Sequence, residues 1–163
     1  MKTSVKLNAY LVGAPPAPCM HYDASDAIVC RATGAAKNRY SIRTKVDAIA
    51  LETDDVRYRF PPNVAKDVCD WCVFTEKGLR GCFLELKGSD FVHALEQLKS
   101  TMSYMGATYY VQPQRAIAVL SGAHPSNARP GKANAKAKFK QQFPTVVLCE
   151  RSSGQSSPDD ILS

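Results

Sequence analysis

Asp70, Glu85 and Lys87 are the residues of this chain whose types and spacing could do chemistry. Two converging carboxylates are hard oxygen ligands of the kind that Mg²⁺ or Mn²⁺ prefers. A lysine beside them can bind an anion or handle a proton. The flanking residues bring the three together. Cys82, Leu84 and Leu86 alternate with Phe83, Glu85 and Lys87, the period of two that marks a strand. Val68 to Phe74 is a second apolar run with one acid, Asp70. "TEKGLR" between them, centred on Gly78, reads as a turn. The pattern predicts an antiparallel hairpin with Cys82, Leu84 and Leu86 in the core and Asp70, Glu85 and Lys87 together on one face. On the hairpin alone, a half-exposed strand pair with a cross-strand ion pair accounts for the same residues equally well.

The next segment, "GSDFVHALEQLKSTMSYMG", predicts a helix. Ser89 suits the N-cap, Asp90 the positive end of the dipole and Gly106 the stop. Phe91, Ala94, Leu95, Leu98, Met102 and Met105 fall on one face at helical spacing, and Asp90, His93, Gln97, Thr101 and Tyr104 line its flank. A helix that enters directly from "ELKG" carries Asp90, His93 and Gln97 close to the strand charges. The remaining elements supply a scaffold. "AIVCRA" predicts a short strand, Ser41–Glu52 a strand or strand pair, "RFPPNVAKD" a connector, and Arg115–Gly122 and Thr145–Arg151 two further strands. The middle of the stretch between those last two, "NAKAKFKQQF", predicts a short helix.

With 163 residues, 45% of them hydrophobic and 22% charged, the chain suits one domain with its own core. That domain is expected over residues 1–151, with residues 1–40 as an N-terminal strand and loop elaboration and residues 152–163 as a disordered polar tail. The net charge of +6 is concentrated. Arg129, Lys132, Lys136, Lys138 and Lys140 lie within twelve residues that contain no acid, which points to an anionic partner such as nucleic acid. Arg39, Arg43 and Lys45 form a lesser basic group. Cys69 and Cys72 make a C-x-x-C pair, but no second pair completes a zinc module, and the pair lies inside a strand rather than opening a helix. Core thiols in a soluble, cytoplasmic, reduced protein are expected, with no membrane span.

The order strand, strand with E-x-K, helix, strand, basic helix or loop, strand, together with "CD" at 69–70, "ELK" at 85–87 and "HALEQL" at 93–98, resembles the PD-(D/E)xK nuclease superfamily, particularly its small stand-alone bacterial and phage members. The resemblance covers roughly residues 41–151. Cys69 stands where the family name has proline. Gln97 is followed by Thr101 where some relatives carry tyrosine, with Tyr104 one turn later. The resemblance implies a restriction endonuclease-like α/β fold, a mixed central sheet flanked by helices, and a nuclease that hydrolyses DNA phosphodiesters with Mg²⁺ or Mn²⁺. It implies Asp70, Glu85 and the Leu86 carbonyl as metal ligands, Lys87 as the group that orients or deprotonates the attacking water, and Gln97 as a catalytic-site residue that positions the lysine or the scissile phosphate. Asp47 or Glu52 is the expected extra acid. A homodimer, or partner proteins of a defence or repair system, would fit such an enzyme. The same fold without activity would be a nucleic-acid-binding or assembly subunit, and cysteine-bound zinc would mark a structural protein.

Overall fold

The computed structural model describes residues 19–24, 26–32, 38–53, 56, 60–75, 80–121 and 131–154. The expectations for the N-terminal eighteen residues, for the Gly78 turn, for Arg129 and for residues 155–163 of the tail fall outside them; the first three tail residues are instead ordered, Ser152 ending the last strand and Ser153 and Gly154 donating backbone hydrogen bonds to Leu120 and Arg39. In chain order the elements are β1 (Cys19–Tyr22), β2 (Ala27–Arg31), β3 (Arg39–Arg43), β4 (Ala48–Glu52), α1 (Pro62–Ala65), β5 (Trp71–Thr75), β6 (Arg80–Lys87), α2 (Phe91–Tyr109), β7 (Gln112–Leu120), α3 (Lys132–Gln142) and β8 (Val147–Ser152).

Six strands form one mixed sheet in the order β1-β4-β5-β6-β7-β8, and β2 and β3 form a separate two-stranded ribbon. The pairings from β1 through β6 are antiparallel. The pairings β6–β7 and β7–β8 are parallel, so each needs a crossover, and α2 and α3 supply it. This is the expected α/β class, with a mixed central sheet and flanking helices.

Strand alternation decides what covers each face. Leu51, Cys72, Phe74, Phe83, Ala116 and Ala118 point to the helices, where Phe91, Leu95, Leu98, Met102 and Met105 of α2 and Phe139 of α3 meet them. Ala50, Trp71, Val73, Cys82, Leu84, Leu86, Ile117 and Val119 point the other way and are roofed by Ile28, Cys30, Tyr40 and Ile42 of the ribbon. Both faces are therefore closed. The β5–β6 hairpin exists as expected but is not half-exposed: the face that carries Glu85 lies under α2, and Glu85 has no exposed surface.

Local differences from the sequence reading have local causes. Ser41–Glu52 is the end of β3 and the whole of β4, broken by a turn in which the Thr44 hydroxyl donates to the Val46 carbonyl at 2.7 Å. The proline-containing connector holds the single turn α1. Asp90, not Ser89, caps α2, its Oδ1 accepting from the His93 N–H at 3.0 Å. The helix runs through Gly106 to Tyr109 and stops at Tyr110, whose φ of 58° is left-handed. No helix among the described residues is long and apolar enough to cross a membrane.

Gly81 marks a register shift where β6 meets β7. A Cβ there would lie 2.7 Å from Phe83 Cε2 and 2.9 Å from Val111 Cγ1, both in buried side chains. Gly81→Ala should therefore destabilise the fold by about 1–3 kcal/mol through overpacking. Thermal unfolding of the variant, read as a lower Tm, checks this.

Candidate active site

The β5–β6 hairpin positions the acids. Trp71 pairs with Leu84, and one step beyond that pair Asp70 faces Glu85 on the helix side of the sheet. Asp70 sits in the bend just before β5 rather than within the strand. The two residues grip each other's backbone region. The Asp70 N–H donates to Glu85 Oε2 at 3.0 Å, and the Leu86 N–H donates to Asp70 Oδ2 at 2.8 Å. A strand residue's N–H and C=O leave on the same side, so the Leu86 carbonyl is also directed toward the Asp70 side.

Lys87 Nζ lies 3.2 Å from Glu85 Oε1, with 30% of the lysine side chain exposed and none of the glutamate. The contact is an ion pair without hydrogen-bond alignment, since Glu85 Oε1 is buried and has no hydrogen-bond partner among the described residues. Burial, and then the neighbouring Asp70 charge, push the Glu85 carboxyl up to about 8, against the opposing pull of Lys87 and the Asp70 N–H. The pair is thus short of positive charge.

A clamp fixes the segment that presents Asp70. Gln97 Nε2 donates to the Val68 carbonyl at 3.0 Å. Thr101 Oγ1 accepts from the Cys69 N–H at 2.8 Å and donates to the Gln97 carbonyl. Thr53 donates its hydroxyl to the Cys69 carbonyl, and its N–H donates to the Asp70 carbonyl at 2.9 Å. Three successive residues, Val68, Cys69 and Asp70, are held by side chains or backbone from two other elements. Gln97 is therefore at the site, but its donor is on backbone rather than on Lys87, while its Oε1 is buried without a hydrogen-bond partner among the described residues. His93 is exposed, and Tyr104 packs on Phe60 with ring centroids 5.2 Å apart. Thr53 was not found from sequence. Its position at the end of β4, one residue past a candidate acid, is the only local signal.

The extra acids do not join the pair. Asp47 lies before β4, at the end away from Asp70, and accepts from the Ala24 N–H at 3.0 Å. Glu52 is opposite Trp71, at the correct end, but strand alternation puts it on the ribbon face. Among the described residues no three His, Cys, Asp or Glu side chains gather in a form that could hold a metal. Two carboxylates still suit Mg²⁺ or Mn²⁺, because Mg²⁺ is commonly held by one or two carboxylates and keeps several waters. The buried Glu85 Oε1, which has the Lys87 ammonium opposite it but no hydrogen-bond partner among the described residues, is the observation that favours such a cation.

The basic stretch divides. In α3, Lys132 is buried and its Nζ lies 2.6 Å from Glu150 Oε1, while Lys136 Nζ lies 3.2 Å from Glu150 Oε2. Both ammonium groups also sit over the Phe91 ring, at 4.9 and 5.3 Å from its centroid. Lys138 and Lys140 are exposed. Two of the four expected phosphate-binding lysines are thus paired within the protein, Lys132 buried and Lys136 partly exposed, because β8 brings Glu150 under α3. A cleft of about 480 Å³ beside this cluster is lined by Lys136, Phe139, Lys140, Leu148 and Glu150 and does not reach the acids. Cys69 and Cys72 are buried free thiols with sulfurs 4.0 Å apart, and burial raises the Cys72 thiol well above its usual range.

Two outcomes follow from these electrostatics. Glu85 is neutral longer in the folded than in the unfolded protein, so in the metal-free protein the fold loses stability as pH rises from about 4.5 to about 8. Glu85→Gln should match the wild type near pH 4 and exceed it above pH 8 by up to a few kcal/mol. Denaturant titrations in EDTA across that range check the crossover. Lys132→Met removes one of the two partners of a largely buried carboxylate and should cost about 1–3 kcal/mol, measurable in the same way.

Comparison with protein-family models, with curated proteins and with solved structures found no match to this chain.

Proposed function

We propose that the protein is a metal-dependent nuclease that hydrolyses phosphodiester bonds in DNA. The observation that carries this reading is the pairing of Asp70 and Glu85 on one face at the end of the sheet, with Lys87 Nζ 3.2 Å from Glu85. Asp70, Glu85 and the Leu86 carbonyl would hold Mg²⁺ or Mn²⁺. When bound, the ion would supply charge to the phosphate and acidify a coordinated water.

The chain's own groups have separable tasks. Asp70 and Glu85 contribute negative charge in a place that burial makes unfavourable, which favours cation uptake. The Lys87 side chain is partly exposed, so its ammonium can stay paired with Glu85 while its N–H donors meet a water or a phosphate oxygen. Gln97, Thr101 and Thr53 keep the Asp70 backbone in place and act as positioning residues. Cutting both strands of a duplex would take two such sites, which a pair of chains would provide. We place the activity in a reducing, cytoplasmic compartment, a setting supported by five free, buried thiols. A role in restriction, phage defence or DNA repair fits this activity.

The test is incubation with supercoiled, linear and single-stranded DNA, and with RNA, with and without Mg²⁺ or Mn²⁺. Asp70→Asn, Glu85→Gln and Lys87→Met should each lower metal-dependent cleavage by about a hundredfold or more, in line with loss of a group that stabilises the transition state. Each should remain folded by circular dichroism. Full activity in Glu85→Gln would end the nuclease reading, and metal-independent DNA binding without cleavage would instead mark a binding or assembly subunit.

A further inference from the structure

The β2–β3 ribbon has an outward face that the core does not explain. Ile28, Cys30, Tyr40 and Ile42 point inward and are fully buried. The alternate positions, Ala27, Val29 and Arg31 on one strand and Arg39, Ser41 and Arg43 on the other, point outward. Three of these six are arginine and none is acidic. Arg31 is directly opposite Arg39 in the register. Like charges placed directly across two strands destabilise a ribbon, and none of the three arginines has a carboxylate partner among the described residues. The fold therefore keeps an arrangement that is unfavourable for the free protein.

The ribbon is also fastened to the acid end of the sheet. Trp71, the residue after Asp70, donates its indole N–H to the Arg31 carbonyl at 2.8 Å. Asn38 Nδ2 donates to the carbonyl of Lys87 at 3.1 Å. The Gly154 N–H donates to the Arg39 carbonyl at 2.8 Å, and the Arg39 N–H donates to Ser153 Oγ at 3.2 Å. The Arg31–Arg39 end is thus held by the strand residues that flank Asp70 and carry Lys87, so its charge keeps a fixed relation to the site.

We propose that the outward face of the β2–β3 ribbon, through Arg31, Arg39 and Arg43, binds the phosphate backbone of double-stranded DNA and fixes it relative to the acid end of the sheet. This rests on the nuclease reading and adds to it a surface that anchors the duplex at the end of the sheet where the acids lie, though on the other face. Arginine suits the task because its planar fork pairs with phosphate oxygens bidentately. Arg39 and Arg43 are about 13 Å apart along the strand, and Arg31 and Arg39 about 5 Å apart across it, so the three can meet separate phosphates. A two-stranded ribbon fits the wide major groove of B-form DNA, whereas the deep, narrow major groove of A-form RNA excludes it. The ribbon replaces the basic stretch as the principal DNA-binding surface, because Lys132 and Lys136 are tied to Glu150.

The experiment is a titration of a labelled DNA duplex in EDTA at several salt concentrations, so that binding is read without cleavage. The triple variant Arg31→Gln, Arg39→Gln, Arg43→Gln should bind at least tenfold more weakly, and its salt slope should be shallower by about two to three, close to one for each phosphate that is no longer neutralised. The corresponding triple Lys variant should keep most of the slope. Single Arg39→Gln should flatten the slope by about one unit and serves if the triple variant folds poorly. Arg31→Gln should slightly raise the Tm of the free protein by removing the opposed charges. Mn²⁺ affinity should be unchanged in all of them. Wild-type affinity and slope in both the triple and the Arg39→Gln variants would overturn the proposal, as would wild-type protein that does not bind the duplex or that binds duplex RNA equally well. A nuclease reading that failed would show instead as absence of cleavage in Mg²⁺, with these binding differences intact.

Discussion

A carboxylate with no exposed surface, Glu85, sets the terms for the acid end of the molecule. Taking an ionised carboxylate out of water costs several kcal/mol unless charges and hydrogen bonds replace the lost hydration. Here the replacement is incomplete. One oxygen has the Asp70 N–H, the other has only an unaligned lysine, and the Asp70 carboxylate adds repulsion. A leucine or glutamine at position 85 would fill the same space beneath α2 without that cost. The clamp from Thr53, Gln97 and Thr101 follows from the same constraint, because two like charges stay adjacent only if their backbones cannot drift apart.

A second buried cluster shows the contrast. Glu85 and Glu150 lie in one row across the parallel strands, with Ala118 of β7 between them. Glu150 has two lysines and is itself partly exposed, so its charge is satisfied within the protein. Glu85 has one lysine and an extra acid. The same residue type on the same face is thus structural in one strand and under-compensated two strands away. Perturbed groups of the second kind mark functional sites more often than the first.

The hairpin, the apolar face of α2 and the succession of elements along the chain were legible because each is written in short-range periodicity. Cys82 to Lys87 alternates, and Phe91 to Met105 repeats at helical spacing. What alternation could not reveal was the cover on the second face. The ribbon comes from residues 27–43, remote in sequence from the strands it roofs, so the sheet read as having one core; with Cys82, Leu84 and Leu86 assigned to it, the opposite face, which α2 covers, was left to read as half-exposed. The basic stretch misled for a related reason. Lys132 and Lys136 are spaced one helical turn apart, and that spacing serves a carboxylate on β8 as readily as a phosphate in solvent. Glu150 and Thr53 each lie in segments of ordinary composition. Only the sheet order and the pairing of β4 with β5 give them their partners.

The separation in sequence between the acids and their clamp has a consequence for the order in which the molecule is built. Asp70 and Glu85 meet across fifteen residues, while Thr101 reaches Cys69 across thirty-two and Asn38 reaches Lys87 across forty-nine. The entropy of closing a loop rises with its length, so the hairpin can close before α2 or the ribbon docks. At that stage both carboxylates are hydrated and their repulsion is weak. The cost of burying Glu85 falls on the later step, when α2 seals its face. A divalent cation bound as proposed would offset that cost in the product of the step, so the proposed ion would also stabilise the closed chain.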